Sequence, residues 1–411
     1  MRRIIASLDV GSNTIKLVVG EFFKKRLNIL AVNEVPSQGI KRGIVINPEL
    51  TMQALEELFN RTEAKLDVPI NEVIVNVPSN DLETIIVSGE TPVSDLENRI
   101  ITTSDLSRVL ENAVLYRISE NREIVNISPI KFLIDDIVST NPLGQTGNKL
   151  MVKAVVNTIP KKNLYGILSV LEKMEINVID FTVSGMADYF TYQNNDYDTK
   201  CGAVINLGAE VTTVSIINKG IITASEVIDI GGHTIDNDLS IVYKIHKSDG
   251  KSLKEKIGLA SSINASVNES LTFTNRFDEA VNINQKETSQ VIESRLKEIL
   301  DIAKKQINLL TKKDISYIII TGGVSELKDF DLLLEEVYGN KVTLGTIDIM
   351  GVRSNKYSTC VGLIKYFDNK IKMKNEEYSV FDEEALKELT RRHKSGNASL
   401  IDKLFGYFFD N

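Results

Sequence analysis

The feature that most constrains the fold is the run from Leu8 to Glu21, which reads Leu-Asp-Val-Gly-Ser-Asn-Thr-Ile-Lys-Leu-Val-Val-Gly-Glu. It predicts an apolar strand that ends in the carboxylate of Asp9, then a tight turn and a second strand. The turn supplies a flexible backbone, hydrogen-bond donors and a cation, in the order Gly11, Ser12, Asn13, Thr14 and Lys16. Such a hairpin tip can hold phosphate oxygens, and Asp9 can order the water shell of a metal ion. The alternative is an ordinary β-hairpin with a Gly-Ser-Asn turn.

Size and charge narrow the classes of protein to consider. A chain of 411 residues predicts two domains, or one domain with inserted subdomains. The formal net charge of −8 and the lack of a basic, aromatic-rich patch argue against nucleic acid as a partner. Cys201 and Cys360 are far apart, and the three histidines do not cluster, so no zinc site is expected. No run approaches the roughly 18–20 apolar residues that span a bilayer, so any membrane contact should be made from the surface.

The order of predicted elements indicates duplicated halves. Strands alternate with a helix over the first eighty residues, and a second strand–turn–strand occupies residues 202–217. Between them, residues 79–157 combine strand-like runs with a capped helix and a turn-rich segment, which indicates an inserted α+β subdomain. Two hairpins at this separation would arise if two similar halves faced one cleft.

Three motifs and one inserted segment carry a resemblance to a known family. Residues 9–16, 204–214 and 320–325 resemble the phosphate-1, phosphate-2 and adenosine motifs of the actin-like ATPase superfamily. Residues 141–150 read Asn-Pro-Leu-Gly-Gln-Thr-Gly-Asn-Lys-Leu, which is similar to Asn-Pro-(Ile/Leu)-Gly-Met-(Ser/Thr)-Gly-x-x-Leu of the FtsA family of bacterial cell-division proteins. The resemblance covers about residues 4–366 and resumes at the C-terminal segment.

This resemblance implies an α/β fold: an actin-like two-domain ATPase fold with an inserted α+β subdomain and a C-terminal amphipathic helix. The implied divisions are 1–78 (first part of the domain 1 core, 1A), 79–158 (inserted subdomain, 1C), 159–200 (return to 1A), 201–230 (domain 2 core, 2A), 231–310 (helical subdomain, 2B), 311–366 (return to 2A), 367–397 (charged linker) and 398–411 (membrane-targeting helix).

The resemblance also implies a nucleotide site for ATP and Mg²⁺, with Asp9 reaching the metal ion through water. The implied nucleotide-binding residues are Asp9, Gly11, Ser12, Asn13, Lys16, Asn206, Gly208, Thr212, Gly231, Gly232, Asp238, Lys254, Gly322 and Gly323. The second phosphate motif departs from the usual Asp-x-Gly-Gly-Gly-Thr, because it has Asn206 for the acid and Gly208-Ala209-Glu210 for the glycines. Lys251 replaces an acidic residue that the family places beside the adenine-site lysine. An amide brings no charge to hold Mg²⁺ or to accept a proton, so we expect nucleotide binding with slow or absent hydrolysis.

The last residues predict a surface-binding helix. Its apolar side consists of Leu400, Ile401, Leu404, Phe405, Phe408 and Phe409, together with Tyr407. A charged stretch of about thirty residues separates it from the rest of the chain, which favours a membrane surface or a protein groove over docking on its own core. One short helix should bind lipid only transiently, so stable attachment would need several copies on one polymer.

The resemblance therefore implies a nucleotide-binding adaptor of cell division, with weak ATPase activity at most. Its implied partners are itself in a filament, the C-terminal tail of FtsZ at subdomain 2B, other division proteins and the cytoplasmic face of the membrane at the division site. No short motif marks the FtsZ contact. The alternative is a phosphotransfer enzyme of the same superfamily, such as an exopolyphosphatase or a sugar kinase, but those need an intact second phosphate hairpin. A pilus or secretion adaptor is a third class, which lacks the 141–150 segment.

Overall fold

The first lobe begins with the predicted hairpin and builds a sheet around it. The computed structural model describes residues 3–24, 26–374 and 378–381. The first elements are β1 (Arg3–Val10), β2 (Thr14–Phe23), β3 (Arg26–Pro36), β4 (Ile40–Lys41), β5 (Ile44–Val45), α1 (Pro48–Leu66) and β6 (Glu72–Val77). β1 pairs antiparallel with β2 and parallel with β6, and β2 pairs antiparallel with β3. α1 starts where the side chain of Asn47 accepts a hydrogen bond from the backbone N–H of Leu50, ahead of a proline in the first turn.

The inserted α+β subdomain is confirmed. It contains β7 (Glu83–Pro92), α2 (Thr103–Val114), β8 (Arg122–Ile134), β9 (Ile137–Ser139) and β10 (Lys149–Pro160). The strands form an antiparallel sheet in the order β7-β10-β8-β9, and α2 packs its apolar side on that sheet through Val109 and Ala113. α2 begins with a capping box in which Thr102 and Asp105 satisfy each other's backbone N–H groups.

The second lobe repeats the topology of the first. The remaining elements are α3 (Lys161–Lys173), β11 (Asn177–Val183), α4 (Ser184–Tyr192), β12 (Cys201–Leu207), β13 (Thr212–Asn218), β14 (Ile221–Ile228), α5 (Gly232–Val242), α6 (Lys247–Ile257), β15 (Ser270–Thr274), β16 (Ala280–Asn284), α7 (Gln285–Leu310), β17 (Tyr317–Thr321), α8 (Phe330–Tyr338), β18 (Val342–Leu344) and α9 (Ser358–Lys374). The sheets run β3-β2-β1-β6-β11 and β14-β13-β12-β17-β18. Each has an antiparallel three-strand meander followed by two parallel strands, which confirms the two-domain fold.

Two helices, α4 and α9, lie between the sheets. A Cβ on Gly362 would come within 1.7 Å of the carbonyl oxygen of Ala187, so the two helices meet backbone to backbone. α4 packs against the second sheet through residues that include Tyr189, and against α9 through Ala187. This contact joins the two lobes at the base of the cleft.

The predicted boundaries near the C-terminus are wrong in one respect. Residues 358–374 form one helix, and its apolar side packs on the first sheet, where Val361 and Ile364 meet Ile5 and Val18. The predicted boundary between the second domain, up to 366, and the linker, from 367, therefore falls inside a helix that belongs to the first lobe. Contact with that lobe continues in the next described residues, because the backbone N–H of Val380 donates to the carbonyl of Ile4 at 2.9 Å.

The rest of the predicted linker and the predicted helix at 398–411 lie outside the described residues. Within the described part of the chain, none of the helices combines the length and apolar character needed to cross a membrane.

Candidate functional site

The floor of the cleft carries a line of alternating charges on three neighbouring strands. Asp9 on β1, Lys16 on β2 and Glu34 on β3 occupy consecutive paired positions. Lys16 Nζ lies 2.9 Å from Asp9 Oδ2, and both residues are at least 92 % buried, at 8 % and 7 % exposure. Burial alone would lower the pKa of Lys16, but the charge and hydrogen bond of Asp9, together with Cys360 and Glu34, outweigh it, so that pKa is raised. Lys16 is therefore held as an ammonium beside Asp9.

Glu34 and Lys356 extend this line and were not predicted. Lys356 Nζ lies 2.8 Å from Glu34 Oε1, and both side chains line the cleft. Burial opposes the charge of Lys356, but the hydrogen bond and charge of Glu34, together with Tyr357, outweigh it, so the pKa of the ammonium is raised. Hairpin register could have indicated Glu34, because it lies opposite Lys16. Lys356 is 322 residues from Glu34 along the chain, and no local pattern marks it.

Close backbone approaches explain two of the predicted glycines. A Cβ on Gly208, in the β12–β13 turn, would lie 2.8 Å from the carbonyl oxygen of Val211. Gly322 has φ +95°, and a Cβ there would lie 2.5 Å from both Asn206 Oδ1 and the carbonyl oxygen of Leu207. Side chains are excluded at both places, so the backbone itself forms the wall.

On the second lobe, Asp236 lies at the cleft where Asp238 was predicted. Asp238 lies outside the cleft, because its carboxylate faces Arg295 on α7 at 2.5 and 3.0 Å. Asp236 lines the cleft instead, and its Oδ1 lies 2.6 Å from Nζ of the predicted Lys254. That ammonium also donates to the carbonyl of Gly232 at 3.1 Å. The acid on this side of the site is therefore Asp236.

Two further predicted residues shape the site without lining it. Thr212 is fully buried, and its hydroxyl donates to the carbonyl of Ile230 at 2.8 Å. Gly231 packs against the turn backbone, since a Cβ there would lie 2.7 Å from the carbonyl oxygens of Gly208 and Ala209. Both residues hold the second hairpin turn against the start of α5.

The two lobes touch across the mouth of the cleft. Asn13 Oδ1 lies 3.3 Å from Lys251 Nζ and 3.4 Å from His233 Nε2. Burial lowers the pKa of His233 below its usual value, so this imidazole is neutral at pH 7. On the other side of the mouth, the backbone N–H of Arg42 donates to Glu210 Oε2 at 2.7 Å. Glu210, which the sequence placed near the phosphates, is thus bonded to the opposite lobe.

A buried aspartate that sequence reasoning missed lies directly behind the cleft wall. Asn206 Nδ2 donates to Asp188 Oδ2 at 2.6 Å, and Ser358 and Thr359 donate to Oδ1 at 2.8 and 2.9 Å. Burial raises the pKa of Asp188 to about 6, although these three hydrogen bonds oppose the increase. No motif contains Asp188, and only the packing of α4 against β12 brings it to the site.

The lining groups from both lobes surround one cavity of about 550 Å³, a size typical of small-molecule sites. The predicted residues that line it are Asp9, Gly11, Ser12, Asn13, Lys16, Asn206, Gly208, Gly232, Lys254, Gly322 and Gly323. Turn donors, lysines and glycine-lined walls form a donor set suited to a phosphorylated ligand. A metal ion fits less well, because the described residues contain no group of three or more His, Cys, Asp or Glu side chains that could hold one.

Comparison with known proteins identifies the family. The sequence model described as "Cell division protein FtsA" matches residues 203–362, and that described as "SHS2 domain inserted in FTSA" matches residues 81–158. The chain is 29% identical over 372 residues to cell division protein FtsA of Bacillus subtilis, covering 88% of this chain and 83% of the relative. It is 28% identical to FtsA of Enterococcus faecalis, covering 87% of this chain and 82% of that protein.

Solved structures show the same fold at low sequence identity. MreB5 of Spiroplasma citri bound to ADP aligns with a TM-score of 0.56 and 14% identity, covering 90% of this chain and 98% of that one. A PilM-PilN type IV pilus biogenesis complex aligns with a TM-score of 0.58 and 13% identity, covering 87% of this chain and 97% of that one. Together with the duplicated sheets and the inserted subdomain, these matches show that the chain belongs to the FtsA family of cell-division proteins and has an actin-like fold.

Proposed function

We propose that the cleft binds an adenine nucleotide, ATP. The observation that carries this proposal is that two hairpin turns from separate sheets face one cavity, together with four lysines. The lysines that line that cavity and provide positive charge for phosphate oxygens are Lys16, Lys251, Lys254 and Lys356. The turn residues Ser12 and Asn13 would contact the phosphates. When bound, the nucleotide would supply an anionic group that draws both lobes toward it.

On the ribose and adenine side of the site, we propose Asp236 in place of Asp238, beside the predicted Lys254, since Asp236 and Lys254 both line the cavity. MreB5 of Spiroplasma citri, with the same fold, was solved with ADP and with AMPPNP. These structures support a nucleotide as the ligand class.

Mg²⁺ is proposed only as an ion that accompanies the phosphates. Asp9 is the available carboxylate, and we propose that it reaches the ion through water. One of its oxygens already accepts a hydrogen bond from Lys16 at 2.9 Å, and Asn206 brings no charge to the opposite wall. No step of the proposed function depends on the ion.

Hydrolysis is proposed to be slow or absent. A general base must be free to accept a proton from the attacking water. The six carboxylates that line the cavity already face a lysine or a backbone N–H; they belong to Asp9, Glu34, Glu210, Asp236, Glu255 and Glu326. We expect phosphate release below about one per minute, against typical enzyme turnover of roughly 1–1,000 per second. Faster release would contradict this part of the proposal.

A charge reversal on α6 tests the nucleotide site. Lys251→Glu should weaken the binding of fluorescent ATP at least about tenfold, because losing a charged hydrogen bond costs roughly 1.5–3 kcal/mol. Lys256→Glu is the matched control: it makes the same change on the same helix, at an exposed position outside the cavity. Its effect should stay within about twofold. Equal losses in both variants would place the nucleotide elsewhere, and no binding to the unmodified chain at high-micromolar ATP would contradict the proposal.

We further propose that the protein acts at the cytoplasmic face of the membrane at the division site. There it would form filaments, receive the C-terminal tail of FtsZ at residues 231–310 and attach to lipid through residues 398–411. The apolar side of the predicted terminal helix and membership of the FtsA family support this proposal. Phosphotransfer is not proposed, because Asn206 cannot serve as an acid or a base.

Liposome co-sedimentation tests the membrane part of the proposal. Changing Phe405 and Phe408 to glutamate should abolish binding, because it places two charges on the apolar side of the helix. Changing Ser395 and Asn397 to glutamate adds the same charge outside that side, and binding should persist. Lipid binding that survives the first pair of changes would contradict the proposed anchor.

A further inference from the structure

Asn206, at the cleft wall, is hydrogen-bonded to Asp188, a carboxylate in the protein interior. Asn206 lines the cavity, whereas Asp188 on α4 is 0 % exposed and lies behind it. The distance between Asn206 Nδ2 and Asp188 Oδ2 is 2.6 Å. The two side chains thus form a direct link between the cavity and a buried carboxylate.

Asp188 keeps its position without a cationic partner. Its other oxygen accepts hydrogen bonds from the hydroxyls of Ser358 and Thr359, at the start of α9. In the described part of the chain, no lysine, arginine or histidine forms an ion pair with Asp188. The N-terminus of a helix favours a nearby anion, so α9 contributes to holding this charge.

This link fixes which end of the Asn206 amide faces the nucleotide. A carboxylate can only accept hydrogen bonds, so the NH₂ end of Asn206 points to Asp188. The carbonyl oxygen points the other way, 2.5 Å from where a Cβ on Gly322 would lie. The group that faces the cavity at this wall is therefore the uncharged carbonyl oxygen of Asn206.

An acid at position 206 would be incompatible with ionised Asp188. It would bring two carboxylate oxygens to about the 2.6 Å that now separates amide and acid, which requires a shared proton. Only one of the two residues can therefore carry a negative charge, and in this chain that residue is the buried Asp188.

We propose that Asp188 is a positioning residue that sets how strongly nucleotide binding in this cleft depends on a divalent cation. By holding Asn206 as a neutral carbonyl, it leaves the second-lobe wall without a charge that would attract Mg²⁺. Nucleotide then binds with little help from the ion. This inference rests on the proposed nucleotide site.

Fluorescent ATP titrations with millimolar Mg²⁺ and with EDTA test the inference on the full chain. The ratio of the two dissociation constants should be below about threefold for the unmodified protein. It should rise to about tenfold or more for the exchanged variant Asn206→Asp/Asp188→Asn, which moves the charge to the cavity wall. Equal ratios in the two proteins would overturn the inference while leaving the nucleotide site intact. No binding under either condition would overturn the proposed function and this inference together.

A thermal measurement without nucleotide tests the pairing itself. Asn206→Asp alone should lower the melting temperature, and adding Asp188→Asn should restore it. The control adds Asp198→Asn instead, because Asp198 also accepts an amide hydrogen bond, from Gln193 at 2.9 Å, but lies outside the cavity. If Asp188→Asn and Asp198→Asn both restore the melting temperature, or if neither does, the proposed role of Asp188 is overturned.

Discussion

Replacing Asp188 by asparagine should stabilise the protein at neutral pH. Burial raises the pKa of this carboxyl from 3.8 to about 6, and the charge of Asp9 adds to the effect. Between these two values the folded chain binds more protons than the unfolded chain. The free energy of unfolding therefore falls as the pH rises from about 4 to 6, and the loss persists at higher pH. Asparagine removes this loss and can still bond to Ser358 and Thr359, because their hydroxyls can donate or accept.

The size of the effect follows from the two pKa values. A difference of about 2 pKa units corresponds to about 3 kcal/mol at pH 8, where Asp188 is ionised in both states. At pH 5 the folded carboxyl is mostly protonated, and about half of the difference remains. Urea denaturation of the unmodified chain and of Asp188→Asn, at pH 8 and pH 5, measures both values. The stability gained by the variant should shrink by about half at the lower pH.

Asp105→Asn is a control for which the opposite change in stability is expected. Burial also opposes its charge, but hydrogen bonds from Thr102 and Ser94 outweigh this, so its pKa is lowered. A lowered pKa stabilises the fold above the unfolded value of 3.8 and ceases to do so only as the pH falls below it. Asp105→Asn should therefore destabilise the protein by the same amount at pH 5 and pH 8. If Asp188→Asn lowers stability at pH 8, or gains equally at both pH values, the reasoning is refuted.

Two further changes probe the closed cleft and its glycine wall. Arg42→Glu should repel Asp229, which now lies 2.9 Å from the Arg42 guanidinium, and Glu210, which accepts from the Arg42 backbone N–H at 2.7 Å. This repulsion should raise hydrogen exchange in residues 208–211 a few-fold. Arg61→Glu, at an exposed ion pair on α1, should leave that exchange unchanged, and an equal response would mean that the mouth contact does not hold the lobes. Gly322→Ala should cost more than the roughly 1–3 kcal/mol of backbone strain alone, because its Cβ also meets Asn206 and Leu207. Gly144→Ala, also at positive φ but in open space, should show only the strain, and equal losses in denaturation would contradict the crowding at Gly322.

Local patterns were enough to predict the elements that form the cavity. The Gly11 and Gly208 turns follow apolar strands whose next-to-last residue is polar, Asp9 or Asn206, and neighbouring residues alone specify such hairpins. The inserted subdomain was visible for the same reason, since its strands and its capped helix are local. The order of the motifs along the chain then indicated one cleft between two similar lobes.

The direction of side chains on a helix was harder to predict. Asp236 and Asp238 are two positions apart on α5, so they point to nearly opposite sides. Burial of Ile235 and Leu239 sets the rotation of this helix and turns Asp236 toward the cleft. A motif match gives the helix but not its rotation, which explains why Asp238 was chosen.

The sequence by itself determined the two hairpins, their glycine turns, the inserted subdomain and the family, because each depends on residues close together in the chain. Only the tertiary structure decided the charges around the site. Glu34 meets Lys356, and Asp188 meets Asn206 and α9, across separations that reach 322 residues. Whether a carboxylate is paired, buried or facing the cavity depends on which elements pack beside it, and packing between distant segments leaves no periodic signal in the sequence.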